Sequence, residues 1–183
     1  MKNVHFNAPW GTPLVVMTIV CLVICIGTSV PGVMLAIGNN AILRAMGVRT
    51  FPVILQWSGW FMVVVLLLTI LLSAVYMVRG YALTEDFLIV KRLGWDSRVS
   101  LARLMSAAAD PNAVHGSFRI FGNGGCFSFV GWYRNKTLGT YRAYATDVKR
   151  SVVLRFSDKT IVVTPDDPQK FVAQITPSIW KPS

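Results

Sequence analysis

Few side chains in this 183-residue chain have a type and spacing suited to chemistry. Of its two histidines, His5 lies in an N-terminal tail and His115 in a loop, and neither has a serine or cysteine beside it in a nucleophile motif. Asp110, Asp147, Asp166 and Asp167 are the plausible carboxylates, and a degenerate enzyme whose site includes His115 and Asp110 is the weakest of the readings. Cys21 and Cys25 fall on one helix face at a spacing open to a soft metal ion. No further ligand accompanies them, so they read as packing residues, and with Cys126 they make no disulfide framework. Asp147 has the ordinary use of a turn aspartate, and Asp166 and Asp167 those of a helix cap and first-turn charge. No catalytic residue, cofactor or metal site is expected, and binding and assembly are the function classes left.

Basic residues gather in three places: Lys91 and Arg92 with Arg98, Arg134 with Lys136, and Lys149 and Arg150 with Arg155. The first group is the candidate anionic-lipid contact, through an attraction of about 1 kcal/mol per basic side chain close to a charged leaflet. A solvated face that keeps the domain soluble explains the same charges. Arg119, Tyr133, Arg142 and Tyr144 interleave cations and rings as binders of single-stranded nucleic acid do. No nucleic-acid motif accompanies them, so nucleic acid is not an expected partner. Gly122-Asn123-Gly124-Gly125 invites comparison with a phosphate cradle, which needs a strand before it and a helix N-terminus after it. Cys126 to Val130 instead alternate like a strand, so Gly122, Gly124 and Gly125 are expected to form a hairpin turn with positive φ.

The elements that carry these residues lie in two different solvents. Apolar residues make up 54% of the chain and charged ones 14%, with a mean hydropathy of +0.53, which argues against a wholly soluble protein. Before Arg79 the charged side chains are Lys2, Arg44 and Arg49; from Arg79 onward lie fifteen basic and eight acidic residues, a net charge of +7. The run from Leu14 to Leu35 predicts a first transmembrane helix over 13–37. Ten of residues 14–32 are Leu, Ile or Val, about −3 to −6 kcal/mol of insertion preference. A signal peptide also begins with a lysine and an apolar run, but this run is too long and lacks a small-x-small cleavage site. Pro31 is expected to kink the helix or end it early. A second helix over 53–78 holds the block Val63 to Leu68, with Trp57 and Trp60 at one end and Tyr76 and Tyr81 at the other, where headgroups lie. Residues 1–12 then form a tail and 38–52 an inter-helix loop. Lys2, Arg79, Lys91, Arg92 and Arg98 share one side against Arg44 and Arg49, which predicts a multi-pass protein of the inner (plasma) membrane with both termini cytoplasmic.

After Arg79 the apolar runs shorten to strand length: Gly80 to Thr84, Phe87 to Lys91, Arg98 to Leu101, Leu104 to Ala107, Phe118 to Phe121, Cys126 to Tyr133, Gly139 to Ala145, Val152 to Phe156 and Thr160 to Thr164. Such spacing predicts an antiparallel sandwich or barrel over 79–176. Thr164-Pro165-Asp166-Asp167-Pro168 then announces a helix over Gln169 to Thr176, with Phe171, Val172 and Ile175 as its apolar stripe and Pro177 ending it before a tail at 177–183.

A β-array closed by one C-terminal helix resembles the pleckstrin-homology superfold. The stretch Ser117 to Phe127, Gly131, Leu138-Gly139-Thr140-Tyr141, Tyr144-Ala145-Thr146-Asp147 and the Thr164 to Pro168 helix start with Phe171 are similar to the bacterial PH-like domain family, over roughly Tyr81 to Ile175. The resemblance implies a membrane-anchored α+β protein: a two-helix transmembrane hairpin followed by a PH-like antiparallel β-sandwich or barrel capped by a C-terminal helix. It implies a non-enzymatic binding or scaffold module that recruits a protein partner, pairs with a second copy, or rests on the anionic inner leaflet. In eukaryotic PH domains basic residues on the first strands bind lipid headgroups. Lys91, Arg92 and Arg98 sit in a loosely comparable place, which makes headgroup sensing the alternative.

Overall fold

The computed structural model describes residues 4–37, 45, 47 and 53–179. Lys2, Arg44, Arg49, nearly all of the expected 38–52 loop and residues 180–183 lie outside the described residues.

Two long helices fill most of the N-terminal part, α1 over Thr12–Ile37 and α2 over Val53–Val75. Within them Thr12–Met34 and Trp57–Val75 are long and apolar enough to cross a bilayer. Their apolar side chains face outward, Ile26 at 64% and Leu67 at 62% exposure. A core helix would bury such a stripe against protein; lipid is the solvent that suits these two. Helix α1 does not end at Pro31 but runs on to Ile37. Just before the proline, the hydroxyls of Thr28 and Ser29 donate back to the carbonyls of Ile24 and Ile26. Gly32 and Gly59 are both buried, and a Cβ on Gly32 would lie 3.5 Å from the Gly59 carbonyl oxygen. Small residues of this kind let membrane helices approach closely.

All nine expected strands form, their ends shifted by up to three residues, and a tenth precedes them. The strands are β1 Val4–Asn7, β2 Val78–Leu83, β3 Phe87–Arg92, β4 Ser97–Ser100, β5 Leu104–Ala109, β6 Phe118–Gly124, β7 Phe129–Asn135, β8 Gly139–Ala145, β9 Val152–Phe156 and β10 Thr160–Val163. They make two sheets, β1-β2-β3-β4 and β5-β9-β10-β8-β7-β6. The sheets are separate ladders, so of the two forms expected this is the sandwich and not the barrel.

Strand β1 corrects the sequence reading of residues 1–12 as a tail. Val4 pairs with Leu83 and Phe6 with Tyr81, and the Phe6 ring meets Phe171 edge-on at 5.0 Å. Four residues are too few to show a period, which is why the pattern is silent there. A second correction concerns β8 and β10, which pair in parallel, Ile161 opposite Arg142 and Val163 opposite Tyr144. The β9–β10 hairpin lies with β10 between its own partner and β8, so the strand beside β8 is the second one after it and runs the same way.

Alternation along the six-stranded sheet divides two apolar layers. Val130, Tyr144, Leu154, Ile161 and Val163 face the first sheet, where they meet Leu88, Val90 and Tyr81. Tyr133, Tyr141, Ala143, Val153 and Val162 point the other way, under Ala113 of the 110–117 loop. The terminal helix, α3 over Pro168–Ile179, adds Phe171 and Ile175 to the first layer. Asp167 caps it, its Oδ1 accepting from the Lys170 N–H at 3.0 Å, while Asp166 Oδ1 accepts from the Asp167 N–H. Pro177, expected to end this helix, sits inside it. Lacking an N–H, Pro177 cannot bond back to the Ala173 carbonyl, so the helical ladder is interrupted over its last three residues.

Tyr81 ties the layers together. Its hydroxyl donates to the Tyr144 carbonyl and accepts from the Thr164 N–H at 3.1 Å, and full burial pushes the phenol up to about 12.

Candidate functional site

Strand period decides where the predicted lipid contacts go. Leu88, Val90 and Arg92 are buried on β3, so Lys91 points to the outer face and Arg92 to the inner one. Arg98 lies opposite Ile89, on the outer face with Lys91. The expected trio is thus split: Lys91 and Arg98 are exposed, and Arg92, at 8% exposure, is not available as a surface contact. Two adjacent residues on a strand cannot serve one face.

Arg92 occupies a cage of aromatic rings. Its Cζ lies 5.6 Å from the ring centroids of Tyr76 and Trp95 and 5.1 Å from that of Tyr144. Tyr76 and Trp95 meet edge to face at 4.8 Å, which fixes two sides of the cage. Arg142, on β8, sets its own Cζ 5.1 Å from the Tyr144 ring and 5.8 Å from Trp132. Two guanidinium groups therefore share one tyrosine. Burial pulls the Arg92 pKa below the usual arginine value, Tyr144 opposes that shift, and the positive charge of Arg142 adds to it. Nε and Nη2 of Arg92 are buried without a hydrogen-bond partner. Among the described residues the ion pairs join Arg150 to Asp147 and Lys159 to Asp158, and neither arginine of the cage takes part.

The glycine-rich segment has a different use from the one its sequence suggests. Strand β6 continues through Gly124, and the turn falls at 125–128. Gly122 is inside the strand at φ 115°, opposite Gly131 at φ 148°. A Cβ on either would strike the partner backbone, so the two glycines allow a close crossing rather than a turn. Gly124 leaves room for the Arg119 guanidinium, which donates to the Gly122 carbonyl at 3.1 Å. Gly125, at φ 119°, does open the turn. Asn123 braces it, donating to the Cys126 carbonyl and accepting from the Cys126 N–H. The Thr18 hydroxyl of α1 then donates to the Gly125 carbonyl and accepts from the Phe127 N–H, both at 3.1 Å. The loop is a dock for the start of the first helix.

The remaining candidates stay apart. Arg119 pairs with Tyr133 on one face of the sheet, and Arg142 and Tyr144 lie on the other, so the four make no stacking platform. Asp110 Oδ1 accepts from the Asn112 N–H, a turn use, and His115 is exposed in the same loop. No three His, Cys, Asp or Glu side chains come together among the described residues.

A family model described as the bacterial PH domain matches residues 79–178. The chain belongs to the bacterial PH domain family. Its PH domain carries two additions outside the matched span: the strand β1, and the two apolar helices between β1 and β2. No curated protein matches the chain, and no solved structure does.

Proposed function

We propose that the chain is a membrane-anchored, non-enzymatic PH module of the inner (plasma) membrane, with both termini in the cytoplasm and its basic end resting on the anionic leaflet. The observation that carries this reading is the pairing of β1 with β2 across the helical hairpin. A chain that crosses a bilayer twice returns to the side from which it left, and a ladder between residues 4–7 and 80–83 needs both flanks on one side. The pairing also weighs against cleavage of α1 as a signal, because Phe6 of the core would leave with it. Arg79 follows Val75 by four residues, and Lys91 pairs with Gly80, so both exposed cations belong near the headgroups. Each such charge adds about 1 kcal/mol of attraction to an anionic surface at ordinary salt.

The test uses the full chain in nanodiscs, with a fluorophore on L93C, an exposed uncharged position that leaves Lys91 in place, and a lipid-borne quencher. Quenching should be stronger in discs containing phosphatidylglycerol than in phosphatidylcholine discs and should weaken with salt. Equal quenching in both, at every salt concentration, refutes the leaflet contact. A reporter fused after Ser183 that is active only from the outside refutes the orientation.

A second reading, recruitment of a protein partner by strand addition, is favoured by one observation. Strand β6 is a sheet edge with Phe118, Ile120 and Phe121 exposed, the last at 76%. A photo-crosslinker in place of Phe118 should capture such a partner in native membranes, and lipid adducts alone would exclude this mode.

A further inference from the structure

We propose that the tip of the β6–β7 hairpin, Gly124 to Phe129, is a third membrane element, set into the leaflet beside the start of α1, with Phe121 and Trp132 as its lipid-facing shoulder. The proposal deepens the membrane reading above and rests on it, and it assigns Phe121 to lipid rather than to an added strand. The first observation is depth. The Thr18 hydroxyl that holds the Gly125 carbonyl and the Phe127 N–H lies six residues, about 9 Å at the helical rise, inside the apolar span Thr12–Met34. Leu14 and Thr18, one turn apart, are buried against the domain, while Val15, Val16 and Met17 at the same level are exposed. Exposed apolar side chains on the flanks of a span mark lipid as the solvent there, and the docked turn shares that solvent. On its other side the Ser128 hydroxyl donates to the carbonyl of Tyr76 at 3.4 Å, one residue past the end of α2. The second observation is composition. From Ile120 to Tyr133 the chain carries no charged side chain, the longest such run after Arg79, in a half that holds fifteen basic and eight acidic residues. Phe121 and Trp132 face each other across the ladder at 76% and 40% exposure, and such rings suit the boundary of a bilayer. The third is the treatment of polar groups. Asn123 Oδ1 accepts from the N–H groups of Gly125 and Cys126, its Nδ2 donates to the Cys126 carbonyl, and the Tyr133 hydroxyl donates to the Asn123 carbonyl at 2.7 Å. A turn in water can leave such groups to the solvent; one that enters lipid must satisfy them from within. The fourth is strain. Phe127 has a positive φ of 64°, a conformation that glycine or asparagine takes without penalty, yet the position holds an apolar ring that meets Trp10 edge-on at 6.2 Å.

The test is depth-dependent quenching of the full chain in phosphatidylcholine nanodiscs whose lipids carry a nitroxide either in the headgroup or on an upper acyl carbon. A fluorescent amino acid replaces Phe121 or Phe127, and Glu85, exposed in the β2–β3 turn at the far end of β2 from α2, serves as the reference position. The acyl-chain nitroxide should quench both hairpin labels well above the Glu85 label, and equally at low and high salt. Phe121 is an exposed side chain, so its label still reports if a label at Phe127 disturbs the turn. Quenching of both labels no stronger than at Glu85, or by the headgroup nitroxide alone, overturns the proposal. The L93C signal depends on phosphatidylglycerol and salt and the hairpin signal on neither, so failure of hairpin insertion and failure of the charged leaflet contact give different results.

Discussion

Replacing Thr18 by valine tests whether the PH domain is fastened to its first helix. The substitution keeps side-chain shape and exchanges one hydroxyl for a methyl. In the native protein that hydroxyl is 4% exposed as part of its residue, and it serves the Gly125 carbonyl and the Phe127 N–H at once. Thr18→Val strands both groups. A buried unsatisfied group costs about 1–3 kcal/mol; with Gly125 buried and Phe127 half-buried, the lower part of that range applies twice, about 2 kcal/mol in all. Read as a local opening, this is about a 30-fold faster amide exchange at Phe127. The assay is hydrogen–deuterium exchange on the full chain, following peptides that cover 123–130 against peptides from β9 as an internal standard. Thr18→Ser keeps the hydroxyl and should restore the slow exchange. Valine also makes the span more apolar, so membrane insertion should hold or improve. Unchanged exchange in T18V, or equal acceleration in T18S, would refute the docking argument, and a loss of insertion would mean that the change acted on the span instead.

Phe6→Ala removes a buried ring that packs against Phe171 and should cost about 3–5 kcal/mol, read as an earlier thermal transition of the β domain with the helices still inserted. A change under about 1 kcal/mol would mean that β1 is not part of the core. Alkaline pH should unfold the domain through its phenols. Tyr81 and Tyr133 are both held up to about 12 by burial, so the fold favours their neutral forms; stability is full below pH 10 and falls as pH rises from about 10 to 12. For Tyr81 alone the loss reaches roughly 2–3 kcal/mol. Absorbance at 295 nm should show these two of the five tyrosines ionising only as the fold is lost, and reversible ionisation of all five near pH 10 would contradict it.

The division of the chain into apolar helices and a strand-rich half was legible because each half carries one period over many residues, and the helix start at Thr164 to Pro168 announced itself by cap chemistry. What escaped was of two kinds. Val4 to Asn7 has no readable period, and its partner lies beyond both helices; only tertiary pairing makes it a strand. Arg92 was legible in principle. The same alternation that marks Leu88 and Val90 as inward marks Arg92 as inward too, but its neighbour Lys91 suggests a surface patch, and charge outweighed period. The rings around it come from residue 76, residue 95 and residue 144, a grouping that no local window contains. The glycine-rich segment misled for a different reason: Gly122 is needed for a backbone crossing with Gly131, which lies on the next strand and not in the turn.

The helices are therefore more than a tether. A tether can be cut away and leave its cargo intact, whereas here the chain enters the membrane from inside the domain. Strand β1 completes the first sheet, Phe6 fills the core beside Tyr81 and Phe171, and Thr18 holds the 125–128 loop. A soluble fragment starting at Arg79 would keep the span matched by the family yet lose the edge strand, expose β2, and leave the Gly125 carbonyl and Phe127 N–H without their partner. Removing the anchor also removes Tyr76, one wall of the cage around Arg92. Such a fragment should be less stable and more prone to pair through β2 than the intact chain. Binding measured on it would describe an opened domain, since the fold of the PH module and its attachment to the bilayer are built from the same residues.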